Sequence, residues 1–162
     1  MTRFRAYSAG LLVAAIMLVS IVSCGDDSTG TAPTGSIAGT ITFRKAWPAT
    51  GAIFVTVFSQ YPPTGAPDSF TSPITENMLG PGRTYNYSIS GLETHTYKAV
   101  LIGWRGGVGN DQCIGLYWVH PDSLGIGANC IAQAPGPAPV TVKKDQAVKH
   151  VDMVADLSLV MP

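Results

Sequence analysis

Two stretches of strict alternation constrain what this chain can fold into. In residues 36–43, Ile37, Gly39, Ile41 and Phe43 share one face while Ser36, Ala38, Thr40 and Thr42 share the other. In residues 85–90, Tyr85, Tyr87 and Ile89 alternate with Asn86, Ser88 and Ser90. A period of two sends successive side chains to opposite sides of an extended backbone, so both stretches read as half-buried strands. No stretch after Cys24 sustains an i, i+3, i+4, i+7 apolar stripe, so helices are not expected. The 18 Gly and 12 Pro, with only 12% charged residues, suit short strands punctuated by turns.

The remaining segments fit the same plan. Residues 52–58 and 96–104 are apolar on both faces, as interior strands are, and the second is expected to be the most buried. Trp47-Pro48 and Thr50-Gly51 mark one loop, and residues 61–67 a Pro/Gly-rich second. Residues 70–75 predict a short strand confined to an edge, because Pro73 has no N–H. Gly80-Pro81-Gly82 and Gly91-Leu92-Glu93 predict turns. Residues 105–139 form a long irregular insertion with a short strand at 114–119, and 140–143 a further short strand. In residues 147–160, Val151, Met153, Ala155, Leu157 and Leu159 are expected inward, with His150, Asp152, Asp156 and Ser158 outward. The expectation is all-β: a single Greek-key-type β-sandwich of about seven strands over residues 36–162, with a long loop insertion at 105–139.

The N-terminus is of a different kind. Arg3 and Arg5 precede an uncharged apolar run of about 14 residues, 9–22, shorter than the roughly 20 a membrane-spanning helix needs. A basic start, a short apolar region and small residues at its end mark a signal peptide. Ile21-Val22-Ser23-Cys24 resembles the lipobox of bacterial lipoprotein precursors. That resemblance implies lipidation of Cys24, removal of residues 1–23, and anchoring by several acyl chains. Two or more chains hold a protein stably at about 0.8 kcal/mol per buried methylene. It also implies a place in the bacterial cell envelope, on the outer membrane of a Gram-negative host because Gly25 follows the cysteine; the exposed face is left open. Secretory cleavage near Ser23, giving an unanchored protein, and an uncleaved anchor helix are the alternatives. Residues 24–35 are Gly, Ser, Thr, Asp, Ala and Pro after the cysteine and read as a flexible tether.

Gly35-Ser36-Ile37-Ala38-Gly39-Thr40-Ile41, with Gly51-Ala52 leading into Val55 and Val57, resembles the opening of carboxypeptidase regulatory-like domains, which are transthyretin-like (prealbumin-like) sandwiches. Tyr85, Tyr87, Ile89, Gly91 and Leu92, followed by Thr96-Tyr97, resemble the same family's second hallmark. The likeness covers roughly residues 35–104 and a final strand. Glu93-Thr94-His95 stands where the family has a Pro-x-Gly-like turn, and the insertion is longer than such domains carry. The resemblance implies a non-catalytic spacer, adhesion or assembly module.

With Cys24 lipidated, Cys113 and Cys130 remain as a pair in an oxidising compartment, and a disulfide between them is expected. A loop of that size contributes about 3 kcal/mol in the chain-entropy account. The alternative is two free thiols, and the absence of Cys-x-x-Cys argues against redox catalysis. Trp104, Tyr117 and Trp118 lie in or beside the insertion and form the candidate binding surface, with core packing as the alternative. Asn110, Asp111, Asp122 and Asn129 are oxygen ligands of the kind calcium takes, but their spacing fits no calcium loop.

No catalytic pattern emerges. His95, His120 and His150 are dispersed, Gly-x-Ser-x-Gly is absent, and Gly103 to Gly109 lacks the Walker lysine. Glu93 and His95 are expected to alternate on one strand face. The 10 basic and 10 acidic residues leave no basic patch for nucleic acid. The expectation is a lipid-anchored cell-envelope protein, not an enzyme and without a cofactor or metal. It would act as a binding or structural module for another envelope protein, with a carbohydrate- or calcium-binding module as the alternative.

Overall fold

Ile37, Ile41 and Phe43 turn inward from a strand whose alternate residues stay at the surface, and the rest of the architecture is assembled on that strand. The computed structural model describes residues 34–106, 111–118 and 136–160. Among them are ten strand segments in chain order: β1 (Thr34–Arg44), β2 (Ala52–Phe58), β3 (Ser69–Phe70), β4 (Thr84–Glu93), β5 (Thr96–Tyr97), β6 (Ala99–Arg105), β7 (Asp111–Leu116), β8 (Val140–Thr141), β9 (Ala147–Val148) and β10 (Met153–Asp156). Helical geometry among the described residues is limited to short 3₁₀ turns at Glu76–Met78, Pro81–Arg83 and Leu157–Leu159.

The chain is an all-β sandwich. In the first sheet β1 lies between β4, antiparallel to it, and β9 and β10, both parallel to it. The second sheet runs β3-β2-β6-β7, antiparallel throughout. A two-strand ribbon, β5 with β8, stands apart from both. Ile37 and Ile41 pair in register with Ile89 and Tyr85 across the first sheet, and Val55 pairs with Ile102 across the second. The buried core is made by the inward residues of both, with Val151, Met153 and Ala155 closing one side. Each such aliphatic side chain contributes about 1.5–3 kcal/mol on burial.

Several expectations are met in detail. The segment holding Pro73 does lie at an edge: Thr71 N–H donates to Val55 O at 3.0 Å and Ile74 N–H to Ile53 O at 2.8 Å, with the proline between them. β6 is buried along nearly its whole length.

Other details differ. The run read as one strand over 96–104 is divided at Lys98, so that β5 pairs with β8 while β6 joins the second sheet. The segment read as an irregular insertion supplies β7 at the flank of that sheet, beginning at Asp111 rather than Ile114. Residues 91–93 continue β4 instead of turning: Gly91, at φ +73°, is the extra residue of a bulge opposite Gly35 and Ser36. That insertion shifts the face, so Leu92 is buried although simple alternation from Ile89 would expose it. Asp156, expected outward, is buried, because the strand gives way there to the 3₁₀ turn that Asp156 caps by accepting from Ser158 N–H at 2.9 Å.

Gly39 explains how the C-terminal segment reaches β1. A Cβ at Gly39 would overlap the Val151 carbonyl, and one at Gly35 would lie 2.7 Å from Gln146 O. The spacing of these two glycines is therefore the footprint of the segment that crosses them.

Candidate functional site

β2 carries two kinds of apolar residue. Ile53, Val55 and Val57 face the core, while Phe54 and Phe58 face away from it and are half-buried. What covers them is the loop over residues 59–67, folded back on the outer face of the second sheet. Asp68 N–H returns to Val57 O at 2.9 Å, Lys98 N–H donates to Phe58 O at 2.8 Å, and Ser59 N–H donates to the Asp68 carboxylate. Between this loop and the sheet lies a cleft of about 340 Å³. Phe54, Thr56, Phe58, Leu101 and Gly103 form its floor. Pro63, Gly65, Ala66 and Pro67 form one wall, and Asp111, Gln112 and Cys113 of β7 the other.

Depth comes from Gly103. A Cβ there would meet nothing nearer than Gln112 O at 3.9 Å, so a larger side chain at this position would project into open cleft. Thr56 contributes no free hydroxyl proton, since its Oγ1 donates to Leu101 O at 3.3 Å.

Charge is confined to one end. Arg105 Nε donates to Asp111 Oδ1 at 2.7 Å and Nη2 to Oδ2 at 2.9 Å, a two-point pair. The Arg105 hydrogen bond holds the Asp111 carboxyl below its usual range, and the same bond raises the guanidinium. The guanidinium carbon also stands 5.8 Å from the Phe54 ring centroid, within cation–π reach. Phe70 flanks Phe54 edge-on, with centroids 6.3 Å apart and planes at 85°, and is 62% exposed. The site is thus an apolar slot with a neutralised ion pair at one end and an exposed aromatic ring beside its Phe54, suited to an apolar group.

The residues singled out from the sequence are not brought together as one surface. Trp104 is a correction: it is 1% exposed, because Val100, Ile102 and Trp104 occupy the inward positions of β6. Tyr117 packs partly against the core, and Trp118 is half-buried. Cys113 sits on the cleft wall; Cys24, Cys130, His120, Asn110, Asp122 and Asn129 lie outside the described residues. Asp111 has both carboxylate oxygens committed to Arg105. Glu93 and His95 do not share a strand, since β4 ends at Glu93; the His95 ring stands edge-on to Tyr97 at 5.4 Å instead. Asp152 and Asp156 also part company, the first accepting from Thr40 N–H at 2.7 Å and the second buried. Among the described residues no three His, Cys, Asp or Glu side chains converge as metal ligands would.

The sequence signal for the cleft was the second apolar face of β2. It places Phe54 and Phe58 but not the loop that roofs them. Comparison of the chain with family models, curated proteins and solved structures returned no match.

Proposed function

We propose that this chain is a non-catalytic binding module of the bacterial cell envelope, anchored through lipid on Cys24. In this reading it binds another envelope protein by receiving an apolar side chain in the cleft between residues 59–67 and β2, β6 and β7. The observation that carries the reading is the cleft itself, an apolar floor whose Phe54 is flanked by the exposed Phe70, with its one ion pair already neutralised. Apolar slots with aromatic residues are where partner side chains anchor.

The anchor rests on Arg3, Arg5, the apolar run and Ile21-Val22-Ser23-Cys24. Kinship with carboxypeptidase regulatory-like domains is supported by the two-sheet architecture and by Gly35 and Gly39, the glycines of the resembling motif, both of which sit under crossing backbone. A Cys113–Cys130 disulfide completes the proposal, and Cys113 on the cleft wall would tether the following segment there.

A glycan is the second reading, favoured by the Gln112 amide on the cleft wall, a group of the kind that hydrogen-bonds sugar hydroxyls. Perpendicular Phe54 and Phe70 rings give no flat stacking platform and weigh against it. Gly103→Val separates these readings from a role elsewhere on the molecule, because it fills the cleft from its floor with a residue that strands favour. The full chain and this variant are used as baits on detergent-solubilised envelope. A partner protein lost with Gly103→Val, at unchanged circular dichroism, supports the proposal. A partner that both baits retain overturns the cleft, whereas no protein partner with either bait and a glycan held by the parent but not by Gly103→Val moves the second reading ahead. Cys24→Ala should leave the membrane fraction, and a variant that stays there removes the anchor.

A further inference from the structure

The two main sheets have four flanks, and three of them are blocked against further strand pairing. β3 is two residues long and is soon followed by Pro73. Beyond β7, Ala138 N–H donates to Tyr117 O at 2.9 Å, and Arg105 with Asp111 places charge at the other end. The β9–β10 flank is interrupted by Lys149 and by His150 at φ +62°. β4 is the exception. It is 10 residues long, and from Thr84 to Leu92 it holds no Lys, Arg, Asp, Glu or Pro, the devices that ordinarily protect an edge.

Hydrogen bonding on the far side of β1 fixes which β4 groups are open. Ser36 N–H donates to Gln146 O, Val151 N–H to Ala38 O and Thr40 N–H to Asp152, so Ser36, Ala38 and Thr40 turn their backbone groups away from β4. Ile37, Gly39 and Ile41 must turn theirs toward it, onto Ile89, Tyr87 and Tyr85. Asn86, Ser88 and Ser90 therefore point N–H and C=O off the open flank, and no backbone bond among the described residues reaches them. Thr84, in the same phase, has its carbonyl taken by Gly80 N–H at 2.7 Å, which closes the start of the flank.

We infer that β4 pairs antiparallel with β4 of a second copy of this chain, about a two-fold axis at Ser88. In that register Ser88 exchanges both backbone bonds with its own copy, and Asn86 exchanges both with Ser90 of the other, so every open group finds a partner. The exposed side chains at these positions are small and uncharged, and among the described residues no strand but β1 pairs with β4. Tyr87 and Ile89 stay on the core side in both copies, so the two first sheets continue as one. Arg83 at one end and Glu93 at the other bring opposite charges near each other when the strands run antiparallel, and like charges together when they run parallel. Self-complementarity of this kind is what an isologous contact requires. The inference does not depend on the cleft, which lies on the other sheet.

One cysteine added at a time to the full chain tests it under mild oxidation, each variant judged against the unmodified chain with its own Cys24, Cys113 and Cys130. At the axis, Ser88 Cα atoms would lie about 5.5 Å apart, within disulfide span. Asn86 Cα atoms would be roughly 13 Å apart, out of reach. Ser88→Cys should therefore shift most of the chain to twice the monomer mass on non-reducing gels. Asn86→Cys alone should not, whereas Asn86→Cys mixed with Ser90→Cys should give the cross-linked pair. Equal cross-linking at 86 and 88 alone would mean random collision and would overturn the inference. No cross-linking at either, with circular dichroism unchanged, would also overturn it and leave the flank to a strand from a different protein.

Discussion

The indole N–H of Trp104 donates to the Thr50 carbonyl across 3.0 Å, fastening the end of β6 to the turn that leads into β2. Trp104 is the largest fully buried side chain among the described residues. Trp104→Phe keeps most of the ring but abandons the Thr50 carbonyl, at an expected cost of about 1–3 kcal/mol. Trp104→Ala should cost about 3–5 kcal/mol. Urea unfolding measures both, and Phe70→Ala, at an exposed position beside Phe54, should fall within about 0.5 kcal/mol of the parent.

Gly39 should tolerate no side chain. Its Cβ would meet backbone, the Val151 carbonyl, so relief would require β1 to part from the C-terminal segment. Gly39→Ala is expected to lower stability by about 3 kcal/mol or more. Gly82, at φ +68° with nothing within 4 Å, is the comparison: Gly82→Ala should cost about 1–2 kcal/mol from backbone strain alone. Paired thermal melts rank the two, and equal losses would sink the close-approach explanation.

Tyr87 links stability to alkaline pH. Its hydroxyl donates to Val151 O at 2.7 Å, and burial, then the Asp152 carboxylate, raise its pKa far above the usual phenol value. Unfolded, it would release its proton near pH 10. Stability from this group is thus fully present below about pH 10 and falls as pH rises beyond it, by up to about 1.4 kcal/mol per pH unit. Tyr87→Phe should cost about 1–3 kcal/mol at neutral pH and flatten that decline. Tyr61 and Tyr97, raised mainly by burial, leave a smaller slope behind. Denaturation midpoints across pH 8–11 make the comparison.

Alternation told most of the fold because each sheet has a core side. Ile37, Ile41, Tyr87 and Ile89 could be assigned by counting in twos, and the same count from Val100 would have put Trp104 inside. Where one residue breaks the count, local reading fails: Gly91 reverses the phase before Leu92, and Lys98 parts two strands that look continuous. Asp156 turned inward because a cap, not a strand, ends the segment there. The cleft was half legible. Phe54 and Phe58 announce a second apolar face, but its roof depends on hydrogen bonds between Asp68 and residues 57–59, which no local pattern encodes.

β1 is flanked on one side by β4 and on the other by β9 and β10, with Ile41 opposite Met153. Among the described strands, the first is therefore completed by the last. A nascent chain must wait for residues 147–156 before this strand can be enclosed, and pairing over such sequence distance closes slowly. Chains interrupted before Met153 would leave β1 open along that flank and so stay exposed to association and proteolysis for as long as they persist.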